Sequence, residues 1–278
     1  MDQLISDFEK ILLIKGYSKQ TISVYKNCLY LFKNFIPFHS WKSISDGFII
    51  NSAFRLFDSK KMSYSYQKQT VGALKLFYST MLNREINLDI LKNSRKPFKI
   101  PVVFSKKEVK QIIQSIINLK HKAMIATIYS LGLRVGELTR MKISDLDGDR
   151  SIITIYASKG KKDRQVMFPD SLRLMLREYY LIYRPKQYLF EGPNGKPYSS
   201  SSLRKILNRA TNKCGINKPA TLHTLRHSFA THLLEDGTDV RIIQKLLGHN
   251  SIKTTMIYTY VANDQVISIK CPLDSLDL

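Results

Sequence analysis

The 278-residue chain carries 44 lysine and arginine residues against 22 aspartate and glutamate residues, a formal net charge of +22. Hydrophobic residues make up 44% of it, which is typical of a globular protein and argues against intrinsic disorder. A cationic excess of this size predicts a polyanionic partner, with nucleic acid favoured over an anionic membrane. The length is enough for one large or two modest domains.

The charge excess is spread along the whole chain. Residues 1–95 hold 14 basic and 7 acidic side chains, and the remainder holds 30 and 15, so both parts are expected to contact the polyanion. The three cysteines are far apart and odd in number, which favours a reducing compartment over a disulfide framework. The acidic, amphipathic N-terminal stretch is unlike a signal peptide, and no apolar run approaches the roughly 20 residues of a membrane span. We therefore expect a cytoplasmic protein without membrane contact.

The first third of the chain has the apolar spacing of about four helices. Predicted in order are a helix at 2–15, a helix that Ser18 caps, a loop at 37–47, a weaker helix at 48–58 and a strong helix at about 65–82. The lysines of this region lie mostly off the apolar stripes: Lys19, Lys26, Lys33, Lys60, Lys61, Lys68 and Lys75. One such lysine is typical of a solvated helix face, but their number without matching acids favours contact with phosphates.

A change of pattern divides the chain after this helical region. The segment 93–103 holds two prolines and three basic residues without a helical period, which is typical of an extended linker. We predict a helical DNA-binding domain at 1–95, a linker at 96–104 and a second domain at 105–278. The last 18 residues, 261–278, form a partly apolar tail of that domain.

The second domain is predicted to be mostly helical with a small antiparallel sheet. A capping box at Ser105 and Glu108 opens its first helix, and a second helix stops at Gly132. Strands at 151–156 and 164–168 flank a basic turn and form a hairpin. The other predicted helices are one near Arg134 and those at about 170–183, 201–213, 222–235 and 239–247. The fold class is mainly α, with an α+β catalytic part.

Six side chains of the second domain are candidates for a site that handles an anionic oxygen centre: Arg134, Lys159, His223, Arg226, His249 and Tyr258. Arginine suits a bidentate grip on phosphate oxygens, and histidine donates to an oxygen or relays a proton near neutral pH. A lysine at a hairpin tip can protonate a leaving alkoxide, and a tyrosine among cations can attack phosphorus as a phenolate. The set indicates phosphodiester transesterification through a phosphotyrosine, which requires neither metal nor cofactor.

Residue type alone leaves the nucleophile and the acid open. Tyr260 lies two residues beyond Tyr258 and competes with it for the same role. Lys161 and Lys162 compete with Lys159, because a basic turn is often simply solvated.

The remaining polar residues near these positions have structural interpretations. Glu137 lies one turn after Arg134 and either orients the site or only pairs with an arginine. His227 and His232 share a helix with His223, and we interpret both as structural residues. Taken singly, none of these residues decides the function.

The order and spacing of the sequence motifs indicate the function. The chain resembles the tyrosine recombinase (phage integrase) family, and most closely its compact Xer-like members. Five stretches carry the resemblance in the family's order: LGLRVGEL at 131–138, SKGKKDR at 158–164, HTLRHSFATH at 223–232, LGHNS at 247–251 and TTMIY at 254–258. The helical, basic first third and the short linker also match the family's core-binding domain, so the resemblance spans the chain.

The resemblance implies roles for the cationic residues. Arg134 and Arg226 would clamp the scissile phosphate, and Lys159 would be the general acid for the 5′-hydroxyl leaving group. The spacing selects Lys159 over its neighbouring lysines. Glu137 fits an acidic position that helps to orient the site.

The resemblance also implies how the strand is cut. Tyr258, selected over Tyr260 by its spacing, would be the nucleophile that forms a 3′-phosphotyrosyl link. His223 would handle the tyrosine proton or contact the phosphate, and His249 would donate a stabilising hydrogen bond. Every catalytic position of the family is present, so the resemblance gives no sign of a degenerate enzyme.

The implied partners are double-stranded DNA and further copies of the chain. The family resemblance predicts a two-domain clamp around a recombination site and a homotetramer on two such sites. The tail at 261–278 would dock into a neighbouring subunit, with folding back onto its own domain as the alternative. Strand exchange would pass through a Holliday junction, in chromosome-dimer resolution or in integration and excision of a mobile element. Either role is compatible with an accessory DNA translocase or bending protein.

Three other functions remain as alternatives. A catalytically inactive DNA-binding regulator would bind DNA without a covalent adduct, and a type IB topoisomerase would relax supercoils without a specific site. A metal-dependent nuclease would need clustered carboxylates, for which Asp145, Asp147 and Asp149 are the candidates. We interpret that trio as a polar turn before the hairpin.

Overall fold

A computed structural model describes residues 2–36, 41–92, 100–156 and 163–262. The chain divides into two compact units, Met1–Phe98 and Lys99–Leu278, each with its own hydrophobic core. The predicted linker at 96–104 lies partly outside the described residues, so the predicted domain boundaries stay a prediction. The predicted fold class is confirmed: the described residues are mostly helical, with one small antiparallel sheet in the second unit.

The described part of the first unit contains four α-helices: α1 (Asp2–Ile14), α2 (Lys19–Lys33), α3 (Asp46–Ser59) and α4 (Tyr64–Met81), followed by a 3-10 turn at Asp89–Lys92. Serine side chains cap three of them, because each accepts a hydrogen bond from an exposed N–H of the first turn. The helices enclose Trp41, whose ring lies 4.8 Å from that of Phe77 and 5.9 Å from that of Phe32. The helix predicted at 48–58 begins two residues earlier, where Ser45 caps it.

The second unit begins with three helices and the sheet. These are α5 (Lys106–Ser115), α6 (Leu119–Leu131), α7 (Val135–Arg140), β1 (Leu146–Asp147), β2 (Ile152–Ile155) and β3 (Arg164–Met167), with a 3-10 turn at Ile143–Asp145. The capping box that the sequence predicts for α5 is present. The strands pair antiparallel in the order β1-β2-β3, and β1 is a two-residue edge strand that the sequence pattern did not predict.

The rest of the second unit is helical. It contains α8 (Asp170–Tyr183), α9 (Ser200–Lys213), α10 (Leu222–Glu235), α11 (Val240–Leu247), α12 (Ile252–Thr255) and 3-10 turns at Pro193–Gly195 and Met256–Tyr260. Helix α10 is buried along most of its length, so most of its polar residues, including Arg226, face the interior. A small apolar cluster formed by α10, α11 and the last 3-10 turn includes Tyr258. None of the described helices combines the length and the apolar character that crossing a bilayer requires.

Candidate active site

Gly132 ends α6 and sets the approach of α7 to α10. Its φ is +58°, a left-handed conformation that favours glycine. A Cβ at this position would lie 2.4 Å from a ring carbon of Phe229 on α10, so no other residue fits without displacing that ring. The tight turn brings Arg134, the N-cap residue of α7, close enough to Arg226 on α10 for its charge to lower the pKa of Arg226.

Arg226 is the buried cation at the centre of the site, with 3% of its surface exposed. Its guanidinium donates to the carbonyl oxygens of Gly132 and Leu247, each at 2.6 Å. These carbonyls end α6 and α11, where unpaired acceptors and the helix dipole both favour a positive charge. Burial, and then the charge of Arg134, lowers the pKa of Arg226 to about 10, so the side chain remains a cation at neutral pH.

Glu137 is a buried carboxylate that two arginines bind directly. The Arg164 guanidinium donates to both of its oxygens, at 3.0 and 2.8 Å, and Arg134 donates through Nη1 at 2.7 Å and through its backbone N–H at 2.9 Å. Arg226 lies 3.8 Å away. Burial acts to raise the pKa of Glu137, but these hydrogen bonds and charges outweigh it and lower the pKa to about 2. The carboxylate therefore orients Arg134 and offsets the charge of the arginine group.

His249 follows Gly248, the left-handed residue that ends α11. Its Nε2 lies 3.1 Å from Nη2 of Arg226, and its Nδ1 lies 2.9 Å from Oγ1 of Thr255. An arginine only donates, so Nε2 accepts and the proton of a neutral ring is on Nδ1. Burial and the nearby arginines lower the pKa of His249 to about 3, so the ring is neutral at pH 7.

Tyr258 lies on the last 3-10 turn with 2% of its surface exposed, whereas Tyr260 is 65% exposed. Its ring stacks on that of His249, with centroids 6.5 Å apart and planes 14° apart. Its hydroxyl lies 3.1 Å from Nδ1 of His227. Burial raises the pKa of Tyr258, while the charges of Arg226 and Arg134 act to lower it. The hydroxyl is therefore protonated at neutral pH and lies within the field of the arginine pair.

His223 lies at the exposed edge of this group, one helical turn before His227 on α10. The two imidazole centroids are 6.4 Å apart. Partial burial and the charges of Arg226 and Arg134 lower the pKa of His223. Lys159 lies outside the described residues, between Tyr156 and Asp163 at the ends of the described hairpin.

The structure therefore brings five of the six predicted site residues into one region of the second unit. Contacts link Arg226, His249 and Tyr258 in series, and Glu137 joins Arg134 to the same group. The arrangement offers two cations for an anion and a phenol oxygen near them, which suits attack on a phosphodiester.

Two further residues lie in the site, although the sequence pattern did not predict a catalytic role for either. Arg164 is a buried partner of Glu137 and also donates to the carbonyl of Leu246 at 2.6 Å. His227, which the sequence pattern predicts to be a structural residue, contacts the hydroxyl of Tyr258. Positions i, i+3 and i+4 of a helix share a face, so the spacing of His223, Arg226 and His227 was the available signal.

The carboxylates near the hairpin have structural partners. Asp145 accepts a hydrogen bond from the backbone of Lys142 at 2.7 Å, and Asp147 accepts one from the backbone of Arg150 at 2.9 Å. Across the described ranges, no group of three or more His, Cys, Asp or Glu side chains is arranged to hold a metal ion. The two aspartates thus stabilise turns before β2.

The seven lysines of the first unit that the sequence places mostly off the apolar stripes fall into two groups. Three form ion pairs with acids of the same unit: Lys26 with Glu9, Lys33 with Asp2 and Lys75 with Asp89. Four are exposed and have no carboxylate within 4.0 Å in the described part of this unit: Lys19, Lys60, Lys61 and Lys68. The side chains of this second group are available to a polyanion.

Comparison with known proteins places the chain in a family. The sequence profile of the phage integrase family matches residues 103–265. Tyrosine recombinase XerD of Oceanobacillus iheyensis is 32% identical over 282 residues that span 94% of each chain. Putative integrase/recombinase y4qK of Sinorhizobium fredii is 37% identical over 223 residues, 80% of this chain and 72% of the relative. The chain belongs to the phage integrase family.

The comparison also confirms the predicted class of enzyme. Within the family the chain is a tyrosine recombinase, which cleaves and rejoins DNA strands. Its fold is similar to that of the XerH site-specific recombinase bound to a palindromic difH substrate in a post-cleavage complex. The TM-score is 0.74 at 24% identity, covering 89% of this chain and 79% of the other.

Proposed function

We propose that Tyr258 is the nucleophile that attacks the scissile phosphate and leaves the strand joined to the protein by a 3′-phosphotyrosine. The observation that carries the proposal is the position of its ring, which stacks on His249 while that histidine is hydrogen-bonded to Arg226. A phosphate bound to Arg226 would thus lie near the phenol. The adduct keeps the energy of the phosphodiester bond, so the strand is rejoined without a nucleotide cofactor.

Arg134 and Arg226 bind the non-bridging oxygens of the scissile phosphate in this proposal. Glu137 and the two helix-end carbonyls fix their guanidinium groups before DNA arrives. Charges held in place in this way stabilise the extra negative charge of the pentavalent transition state without reorganising. The remaining N–H groups of each fork are suited to bidentate contact with phosphate.

Both histidines contact the phosphate in this proposal. His249 donates from Nε2, which requires that atom to gain a proton and to leave Arg226, and the negative charge of a bound phosphate favours that protonation. His223 is exposed at the edge of the group and can donate to a phosphate oxygen or take part in proton transfer. Both roles are supported by proximity to Arg226.

Lys159 is proposed as the general acid for the 5′-oxygen, and replacing it by alanine tests that role. We expect Lys159→Ala to slow cleavage of ordinary DNA by roughly 10²–10⁴-fold, because the alkoxide then leaves without a proton. A substrate with sulfur in place of the bridging 5′-oxygen should be cleaved at close to the wild-type rate, because a thiol is far more acidic than an alcohol. The measurement is single-turnover adduct formation on both substrates.

Lys161→Ala and Lys162→Ala are matched controls for this test, because they remove the same charge two and three residues further along the chain. Both should cleave the oxygen substrate within a few-fold of the wild-type rate. A defect in Lys159→Ala that persists on the sulfur substrate would contradict a role in leaving-group protonation.

The first unit is proposed to be the core-binding domain that holds the duplex together with the catalytic unit. Four of its exposed lysines, each with no carboxylate within 4.0 Å in the described part of the unit, support this: Lys19, Lys60, Lys61 and Lys68. Each phosphate that they neutralise releases a counterion, which makes the affinity depend on salt.

Affinity for target DNA should therefore fall steeply as salt is added. We expect a log–log slope of about −0.9 per phosphate neutralised, and a fall of at least about 10³-fold between 50 and 200 mM salt for six or more phosphates. Fluorescence anisotropy with the full chain at several salt concentrations measures the slope. A flat response would mean that the basic surface binds something else.

Paired and unpaired lysines provide the control for that slope. Lys68→Ala should reduce its magnitude by about 1, the loss expected for one phosphate contact. Lys33→Ala should change it less, because Lys33 is already bound to Asp2 at 2.7 Å. Equal effects of the two substitutions would argue against a specific role for the unpaired lysines.

The assembly proposed for catalysis is a homotetramer on two recombination sites. Strand exchange within it would proceed through a Holliday junction, and the reaction would take place in the cytoplasm. The related XerH complex with its DNA substrate supports DNA as the partner. Residues 263–278 of the tail lie outside the described residues, so exchange of the tail between subunits is proposed from the family resemblance. Sequencing DNA that is covalently trapped by the wild-type protein distinguishes a chromosomal resolution site from the ends of a mobile element.

A further inference from the structure

His227 is the histidine that contacts the hydroxyl of Tyr258. Its Nδ1 lies 3.1 Å from the phenol oxygen, and the two ring centroids are 5.7 Å apart. His223, to which the family resemblance gives the tyrosine proton, lies one turn earlier on α10 and is more exposed. The phenol oxygen of Tyr258, which must lose its proton, is therefore already hydrogen-bonded to the imidazole of His227 and not to that of His223.

Both partners in this contact are held by their surroundings. Helix α10 is fixed by Arg226, which binds the carbonyls at the ends of α6 and α11. Tyr258 is packed in the small apolar cluster with Phe229 and Leu247. A hydrogen bond between two such fixed elements has a defined geometry, as proton transfer requires.

We propose that His227 is a catalytic residue that accepts the phenolic proton of Tyr258 through Nδ1 as the phenol oxygen attacks phosphorus. The inference rests on the proposed role of Tyr258 as nucleophile. A bond forms between the phenol oxygen and phosphorus, and the bond between phosphorus and the 5′-oxygen breaks. The phenolic proton passes to His227, and the 5′-oxygen receives a proton from the general acid, Lys159. Rejoining reverses each transfer, so both residues return to their starting state.

The electrostatic surroundings of His227 keep its ring neutral, and therefore able to accept a proton, before DNA binds. Among the described residues, the titratable and charged groups that face it are His223 and Arg226 on its own helix, His249 after α11, and Tyr258. Burial, followed by His223 and Arg226, lowers the pKa of His227 to about 4, so its ring is neutral at pH 7 and can accept. A scissile phosphate among the arginines adds negative charge, which grows in the transition state and favours the imidazolium.

Single-turnover adduct formation by the full-length protein on a nicked suicide substrate tests the proposal. We expect His227→Asn to slow the reaction by roughly 10²–10⁴-fold while DNA affinity stays within about twofold. Asparagine keeps a polar atom near the position of Nδ1 but cannot take the proton. His232→Asn is the matched control, because His232 lies on the same helix and its Nδ1 makes the same kind of contact, 2.9 Å to the hydroxyl of Tyr129. It should stay within a few-fold of the wild-type rate.

A more acidic phenol separates proton transfer from mere positioning. A fluorinated tyrosine introduced at position 258 should restore most of the rate lost in His227→Asn, because its phenolate forms without a base. The rate of His227→Asn with ordinary tyrosine should rise with pH as the phenol ionises. A wild-type rate in His227→Asn, or a slow rate that neither pH nor fluorination improves, would overturn the proposal.

The same assay distinguishes failure of this inference from failure of the proposed function. If wild-type protein forms no adduct through Tyr258, the assignment of the nucleophile fails and the inference fails with it. If wild-type protein forms that adduct and His227→Asn forms it equally fast, only the role of His227 is overturned.

Discussion

Tyr258→Phe is expected to bind its target DNA with wild-type affinity and to form no covalent protein–DNA adduct. Phenylalanine fills the same buried space, so the apolar cluster around the ring is retained. The substitution removes only the oxygen that is proposed to attack phosphorus and its hydrogen bond to His227, which contributes about 1 kcal/mol to the free energy of unfolding. Adduct formation is measured on a denaturing gel with a nicked suicide substrate in buffer that contains EDTA.

Tyr260→Phe is the control for this prediction. Tyr260 has the same chemistry two residues away, but its side chain is 65% exposed. It should form the adduct at the wild-type rate. An adduct that persists in Tyr258→Phe and is lost in Tyr260→Phe would contradict the assignment of the nucleophile. An adduct that requires a metal ion, and is therefore absent in EDTA, would contradict the proposed chemistry.

Long periodic elements of this fold were predictable from the sequence, and short ones were not. The helices at 170–183 and 222–235 match the predicted ranges because each has several turns of apolar periodicity. Strand β1 has two residues and α12 has four, which is too few for any period to appear. Tertiary contacts with β2 and with the neighbouring helices determine both elements.

The residue types of the site were predictable, but their mutual contacts were not. The motifs identify Arg134, Arg226 and His249 by order and spacing. Arg164 occupies an alternating strand, where a charged residue usually faces solvent, and its burial arises because α7 and α11 meet β3 at that point. In the same way, the contact between His227 and Tyr258 joins elements 31 residues apart in the chain. No local pattern encodes such an approach.

The charge of the chain shows the same division between composition and structure. The net +22 predicts a polyanionic partner without indicating which lysines contact it. The helical face on which each lysine lies is predictable from the local sequence, because helical spacing places the lysines off the apolar faces. Whether a lysine is already paired depends on which acids lie near it in the fold, such as Glu9 on α1 beside Lys26 on α2. Only the structure therefore identifies which of the described lysines lack a carboxylate neighbour.

Glu137→Gln is expected to lower the free energy of unfolding of the catalytic unit by about 3–5 kcal/mol, because it leaves a buried arginine without its counter-charge. The side chain is 4% exposed, and Arg164 binds both of its oxygens. A pKa lowered from 4.5 to about 2 indicates a contribution of similar size, since each pKa unit corresponds to about 1.4 kcal/mol. Glu108→Gln is the matched control and should cost about 1 kcal/mol or less, because the pair of Glu108 with Lys218 is partly exposed.

Trp41 makes the measurement specific to one unit. It is the sole tryptophan and is buried in the first unit, so its fluorescence follows unfolding there, whereas circular dichroism follows both units. Glu137→Gln should shift the transition seen by circular dichroism to lower denaturant and leave the tryptophan transition in place. A wild-type transition by both probes would mean that the charge of Glu137 does not stabilise the fold.

The pH dependence of this difference follows from the direction of the pKa shift. The pKa of Glu137 is lower in the folded than in the unfolded protein, so its contribution to the free energy of unfolding is fully present above about pH 4.5. It is lost as the pH falls towards 2, where the folded carboxylate also takes up a proton. The free-energy difference between wild-type protein and Glu137→Gln should therefore be constant from pH 6 to 8 and shrink below about pH 4.5. Because the amide and the carboxylate have nearly the same shape, a difference that stays constant down to pH 3 would show that the cost does not come from the lost charge.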